Sequence, residues 1–144
     1  MTQAYIGSQT LFKMGDGSSP ETFTTVGEVT SIGPLAQRKD LVEATHMLST
    51  AKEYVGGLTD GQEIQLVCNN IPSDTPQQNL WTAAGTTSTA KNFKYVFPST
   101  AAGGSKTFSF AAVVLGSSIG ATTPNGIVPI TFSLKISGQI SGPA

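Results

Sequence analysis

The sequence predicts a mainly β domain with antiparallel strands, one short flanking α-helix and one long exposed connection. Short runs of alternating apolar and polar residues recur along the chain, while helix-type patterning is confined to one stretch. Turn-rich segments such as residues 15–20 and 56–61 punctuate those runs. Charged residues make up only 12% of the chain, against about 25% in an average soluble domain. Ser and Thr together supply 34 of the 144 residues, so the surface is polar by hydroxyl and amide groups more than by charge. A chain of this length supports one core, so residues 1–144 are expected to form one domain.

In chain order, residues 10–14 and 23–32 read as two strands of a hairpin around the turn at 15–20. Gly33-Pro34 then breaks the pattern, and residues 33–60 form the long connection, charged and with some extended pairing. A connection of that length in a compact domain has a task or is disordered. Residues 63–69 alternate Ile64, Leu66 and Cys68 against Glu63, Gln65 and Val67, the mark of a strand with one buried face. The helix is expected at residues 75–84: Asp74 or Thr75 caps it, Pro76 suits its first turn and Gly85 ends it. Leu80, Trp81 and Ala84 are its expected packing face. Residues 93–97 alternate as a strand up to Pro98. Residues 106–115 become continuously apolar, which predicts burial on both faces. A Gly, Ser and Thr loop is expected at 116–126. In the last strand, 127–137, Ile130, Phe132, Leu134 and Ile136 share one face, and the tail 138–144 is expected to be exposed or frayed.

Net charge of −1 excludes a broadly basic nucleic-acid binder. Residues 1–63 hold eight acidic and four basic side chains, while residues 64–144 hold one acid, Asp74, and four lysines. If these halves lie on different faces, copies can meet head to tail with complementary potentials. The lone cysteine, Cys68, excludes an intrachain disulfide and any multi-cysteine metal site. No run approaches the roughly 18 apolar residues of a membrane span, and the first residues show no secretory pattern. The chain is therefore expected to be cytosolic at synthesis and soluble before it assembles.

No catalytic, cofactor-binding or metal-binding residue is assigned. The single histidine, His46, lies in the charged connection with no nucleophile motif to pair with it. Asp16 and Asp60 open segments with too few oxygen ligands for a calcium loop, and both segments read as turns. Residues 102–105 and 116–120 are Gly-rich but match no phosphate-binding pattern. Glu43 and Glu53 are a conceivable carboxylate pair for glycoside hydrolysis, with nothing to place them around a cleft. A carbohydrate-binding or adhesin module is an alternative, but it gathers aromatics on one face. Here Phe93, Tyr95, Phe97, Phe108, Phe110 and Phe132 fall at core positions, leaving Tyr5, Phe12 and Tyr54 for the surface.

Three central segments carry a family resemblance: Val29-Thr-Ser-Ile-Gly-Pro34, Lys39-Asp-Leu-Val-Glu-Ala-Thr45, and Glu53-Tyr-Val-Gly-Gly-Leu-Thr-Asp-Gly-Gln-Glu-Ile64. A strand closed by Gly-Pro, an acidic segment ending in Thr, and a Gly-Leu-x-Asp-Gly turn leading into a strand resemble the major tail tube proteins of long non-contractile-tailed bacteriophages. The resemblance runs over roughly residues 20–140. It implies an antiparallel β-sandwich and a structural virion subunit of the tail, made in the host cytoplasm. It also implies hexameric rings that stack into a hollow tube for DNA ejection. The implied partners are further copies of the chain, with tail terminator, tape measure and tail tip proteins; DNA passes through the lumen without specific binding, and no membrane or cofactor takes part. The long connection becomes an inter-subunit loop whose contact residues are Arg38, Lys39, Asp40, Glu43, His46, Lys52 and Glu53, closed by a turn at Asp60 and Gly61. With nothing after the last strand, the implied form lacks a C-terminal immunoglobulin-like domain. Other ring-forming tail or secretion-tube components remain alternatives, and the lumen is expected to be neutral or acidic.

Overall fold

A computed structural model of the chain describes residues 7–86, 89–98 and 103–144; Tyr5 and Ala102, considered above, lie outside them. The elements in order are β1 (Leu11–Gly15), β2 (Phe23–Thr25), β3 (Val29–Ile32), β4 (Gln37–Glu43), β5 (Tyr54–Gly61), β6 (Glu63–Asn69), α1 (Thr75–Thr86), β7 (Lys91–Val96), β8 (Thr107–Ile119) and β9 (Pro129–Ser141). Seven strands form one antiparallel sheet in the order β2-β1-β7-β8-β9-β6-β3, and β4 and β5 pair as a separate two-stranded ribbon.

The segment read as one strand, residues 23–32, is two strands on opposite edges of that sheet. Thr25 and Val29 are four residues apart, a reach of about 14 Å at most. Edges of a flat seven-stranded sheet would stand about 29 Å apart at the usual spacing. The sheet must therefore curl until its edges nearly meet, which gives the β-sandwich-like shape. Val26 sits at the crossing, 2% exposed, with its N–H donating to the Phe12 carbonyl at 2.9 Å. Glu28 turns the chain at a φ of 46°, a left-handed value uncommon for residues with a Cβ. Its carbonyl accepts the Asn69 N–H at 3.0 Å.

The core lies inside this curl. Ile64, Leu66 and Cys68 of β6 and Phe132 and Leu134 of β9 are fully buried, with Ile130 and Ile136 nearly so, as the alternation predicts. Phe12, expected at the surface, is also fully buried. It packs with Phe93 and Phe110 at ring-centroid distances of 5.5 and 6.1 Å, because β1 lies next to β7 and shares its inner face. Burial pushes the Cys68 thiol up to about 12, helped by the charge of Asp74.

Helix α1 covers one end of the core. Asp74 Oδ2 accepts the Gln77 N–H at 3.3 Å, the N-cap role predicted for it, and the Gly27 N–H at 3.2 Å. The helix continues through Gly85 to Thr86. Its buried residues are Pro76, Gln77, Leu80 and Ala83, so the packing face is rotated from the expected one and Trp81 is 44% exposed. Gln77 explains the rotation. Its amide donates to the carbonyls of Gly27 and Asn69 at 2.9 and 3.0 Å and accepts the Ile71 N–H at 2.9 Å. One side chain thereby ties the edge-to-edge crossing, the end of β6 and the helix entry together.

Three other expectations change. Residues 116–119 are strand, since β8 runs on past a bulge to pair Ile119 with Ile130. The second face of β8 is not buried in the single chain, where Leu115 is exposed. The tail is held, with Thr107 and Ala144 exchanging two backbone hydrogen bonds of 3.0 Å.

Candidate inter-subunit surface

The long connection is an antiparallel hairpin. Strands β4 and β5 pair from Gln37–Gly61 at the base to Glu43–Tyr54 at the outer end, with a bulge between Lys39 and Leu41. Its base is bound to the sandwich. The Gln62 N–H donates to the Ala36 carbonyl at 3.0 Å, the Ile136 N–H to the Gln62 carbonyl at 3.3 Å, and the Ile140 N–H to Gln37 Oε1 at 3.3 Å. Lys135 Nζ lies 3.3 Å from Asp60 Oδ1 and also donates to the Gly61 carbonyl. Asp60 and Gly61, read as a closing turn, are the last two residues of β5, and Gly61 packs directly on Ile136.

Beyond that base the hairpin stands clear of the domain. Every residue of β4 is exposed, as are residues 41–56 apart from Ser49. Strands exposed on both faces usually carry polar side chains, yet Leu41 is 70% exposed, Leu58 84%, Leu48 87% and Met47 99%. Val42 and Val55 are paired and therefore share a face, while Leu41 points to the other. An isolated two-stranded ribbon is marginal in water. This one has apolar groups on both faces and two unpaired edges among the described residues, an arrangement that another protein surface would stabilise.

The charged residues singled out by the sequence are distributed along this ribbon. Arg38 lies opposite Asp60, Lys39 opposite Thr59 and Glu43 opposite Tyr54. Arg38, Lys39, Asp40, Glu43 and Lys52 make no ion pair among the described residues. His46 and Glu53 meet at the tip, 3.3 Å apart. Beside them stand exposed apolar residues, Leu41, Val42, Met47, Leu48, Val55 and Leu58. Their signal was present in the sequence as large apolar residues scattered through a charged stretch without a period.

Among the described residues no group of three or more His, Cys, Asp and Glu side chains is arranged to hold a metal, and no helix is long and apolar enough to cross a membrane. A second apolar feature is a groove of about 380 Å³ beside α1, lined by Ile71, Trp81, Ile119 and Ile130 among others.

No protein-family model matches the sequence, and no curated protein matches it. Solved structures do share its fold. A chain from the tail of an empty gene transfer agent particle with C6 symmetry has a TM-score of 0.72 at 17% identity, covering 98% of this chain and 100% of that one. The SPP1 tail tube has a TM-score of 0.71 at 11% identity, covering 94% and 77%. A chain of the sheath–tube complex of an extracellular contractile injection system has a TM-score of 0.70 at 13% identity, covering 96% and 90%. The fold is thus that of subunits from phage-like tails and injection tubes. It spans nearly the whole chain.

Proposed function

We propose that this chain is a non-enzymatic structural subunit of a virion tail, six copies of which close into a ring and whose rings stack into the hollow tube through which DNA leaves. The observation that carries the reading is the hairpin of residues 37–61, anchored at its base and exposing Leu41, Val42, Val55 and Leu58 on a fold shared with tail assemblies. A protruding element that fits a different surface of the next copy is a heterologous contact. Such contacts close into rings by rotation and build filaments by stacking. Arg38, Lys39, Asp40, Glu43, His46, Lys52 and Glu53 then give the contact its register, with the apolar groups supplying most of its stability. Tail terminator, tape measure and tail tip proteins would set the length and ends of the tube. The fold match to a contractile injection system favours one second reading, a tube enclosed by a sheath.

The test is electron microscopy and sedimentation of the intact chain beside a variant in which residues 40–58 are replaced by Asn-Gly. Lys39 and Thr59 already pair, so a two-residue turn closes the shortened hairpin and leaves the core untouched. Rings or tubes from the intact chain, with a monomer of unchanged melting temperature from the variant, are expected. Tubes from the shortened chain would refute the role of the hairpin. An intact chain that stays monomeric at high concentration, also beside purified tail tip complex, would refute the tube reading. A lumen lined by lysines in the assembled tube would overturn the expected neutral or acidic conduit.

A further inference from the structure

We propose that His46 is a proton-operated latch on the hairpin tip, holding Met47 and Leu48 in one arrangement while its imidazole is neutral and releasing them when it is charged. The tip is closed by the Ala44 N–H donating to the Glu53 carbonyl at 2.8 Å and the Glu53 N–H donating to Thr45 Oγ1 at 3.0 Å. Inside this closure the imidazole meets two opposite demands. The Leu48 N–H donates to His46 Nδ1 at 3.2 Å, which requires a lone pair there. Nε2 lies 3.3 Å from Glu53 Oε2, which requires a proton there. The neutral ring protonated on Nε2 satisfies both, and no other form does.

The surroundings hold the ring in place. Ser49 donates its hydroxyl to the same Glu53 oxygen at 2.9 Å, accepts the His46 N–H at 3.0 Å, and donates its own N–H to the His46 carbonyl at 2.9 Å. A second proton can only enter at Nδ1, where it faces the Leu48 N–H. The contact with Glu53 becomes charge-assisted and keeps the ring in place. The break therefore falls on the Leu48 amide. That amide belongs to the pair of apolar residues most exposed on the hairpin. Among the described residues Glu53 is the one titratable group in contact with His46, and Glu43 and Lys52 are the nearest others along the hairpin. Any effect on assembly rests on the tube reading above, whereas the latch itself is a property of the single chain.

Nuclear magnetic resonance of the full chain, at concentrations too low for assembly and from about pH 8 to about pH 5, tests the latch. The neutral ring is expected to show an unprotonated Nδ1. Leu48 amide protection, corrected for intrinsic exchange, is expected to fall about fivefold, the equivalent of one net hydrogen bond, in step with the ring. His46→Asn retains an acceptor for the N–H two residues on but does not titrate, so its Leu48 amide should be indifferent to pH. A proton on Nδ1 at high pH, a Leu48 amide that ignores the ring, or the same response in His46→Asn would each overturn the proposal. Pelleting at both pH values then separates the two claims. Assembly that shifts with pH in the parent and not in His46→Asn ties the latch to the contact. A titrating amide with pH-independent assembly would refute that tie and leave the latch standing.

Discussion

Replacing Gly61 by alanine asks whether the hairpin is truly fixed to the sandwich at its base. A Cβ built on Gly61 would sit 2.5 Å from Ile136 Cβ and 3.2 Å from the Ile136 carbonyl oxygen, closer still to its Cγ2. Ordinary carbon contacts need about 3.5–4.0 Å, so something must move by more than about 1 Å. Ile136 is 2% exposed within β9 and is packed in the core, so it has little room to yield. The shift falls on β5 instead and strains the Ile136 N–H to Gln62 bond and the Lys135 contact with Gly61. Overpacking costs about 1–3 kcal/mol and a weakened hydrogen bond about 1 kcal/mol more, giving roughly 2–4 kcal/mol in total. For a domain of this size that is roughly 6–14 °C in melting temperature. Gly116 is the control, since a Cβ there meets nothing within 4 Å. Gly116→Ala is expected to be neutral or to stabilise by up to about 1 kcal/mol. Thermal and urea unfolding of both variants decides the matter, and equal melting would mean that the base is not packed as described.

Four further outcomes are expected. Gln77→Leu should cost about 2–4 kcal/mol in urea unfolding, because the Ile71 N–H and the Gly27 and Asn69 carbonyls all lose their partner; a loss under about 0.5 kcal/mol would show that the amide is not a tie. Cys68 should resist thiol reagents in the native state and react on unfolding, since the thiolate is the nucleophile and the folded thiol keeps its proton up to about 12. By the same linkage, stability should fall as pH rises past the ordinary thiol range, because the unfolded chain then loses a proton that the native core retains; a stability profile unchanged by Cys68→Ala there would contradict this. Asp16 accepts from the Ser18 N–H, the Ser18 hydroxyl and the Thr22 N–H, contacts that hold its carboxyl below the usual range. Its contribution should be present at neutral pH, diminish as pH falls through the lowered value, and be absent in Asp16→Asn.

The parts of the fold legible in the sequence are those whose stability is local or one-sided. Strand β6 has the bounds its alternation predicts, and β9 buries the four residues read as its inner face, because both strands have one wet face and one dry one. Asp74 was readable as a helix cap because a cap acts within one turn. The split between β2 and β3 was not readable. β-Branched residues run through the segment on both sides of Gly27, and the turn at Glu28 is held by Asn69, a partner 41 residues away. Trp81 misled for a related reason: apolar character pointed to the Trp81 side of α1, while the polar Gln77 is buried because its partners come from Gly27, Ile71 and Asn69. The hairpin read as a loop because period-two patterning comes from burying one face, and in the single chain neither face of β4 is buried. Its charged residues stand out in the sequence, while the exposure of the apolar residues beside them shows only in the structure.

The sheet order has a consequence for biosynthesis. Strand β9 lies between β8 and β6, so β6 and β3 have no route into the sheet until residues 129–141 leave the ribosome. The hairpin with its exposed apolar residues emerges well before the strand on which its base is fixed. Chains stalled or cleaved before that point carry the apolar ribbon and an open β6 edge without a core to restrain them. Such fragments are expected to be insoluble when expressed alone, and a soluble, folded product ending before residue 129 would contradict that order of events. Translation of β9 is then the step that turns a nascent chain with an unrestrained apolar ribbon into a folded domain.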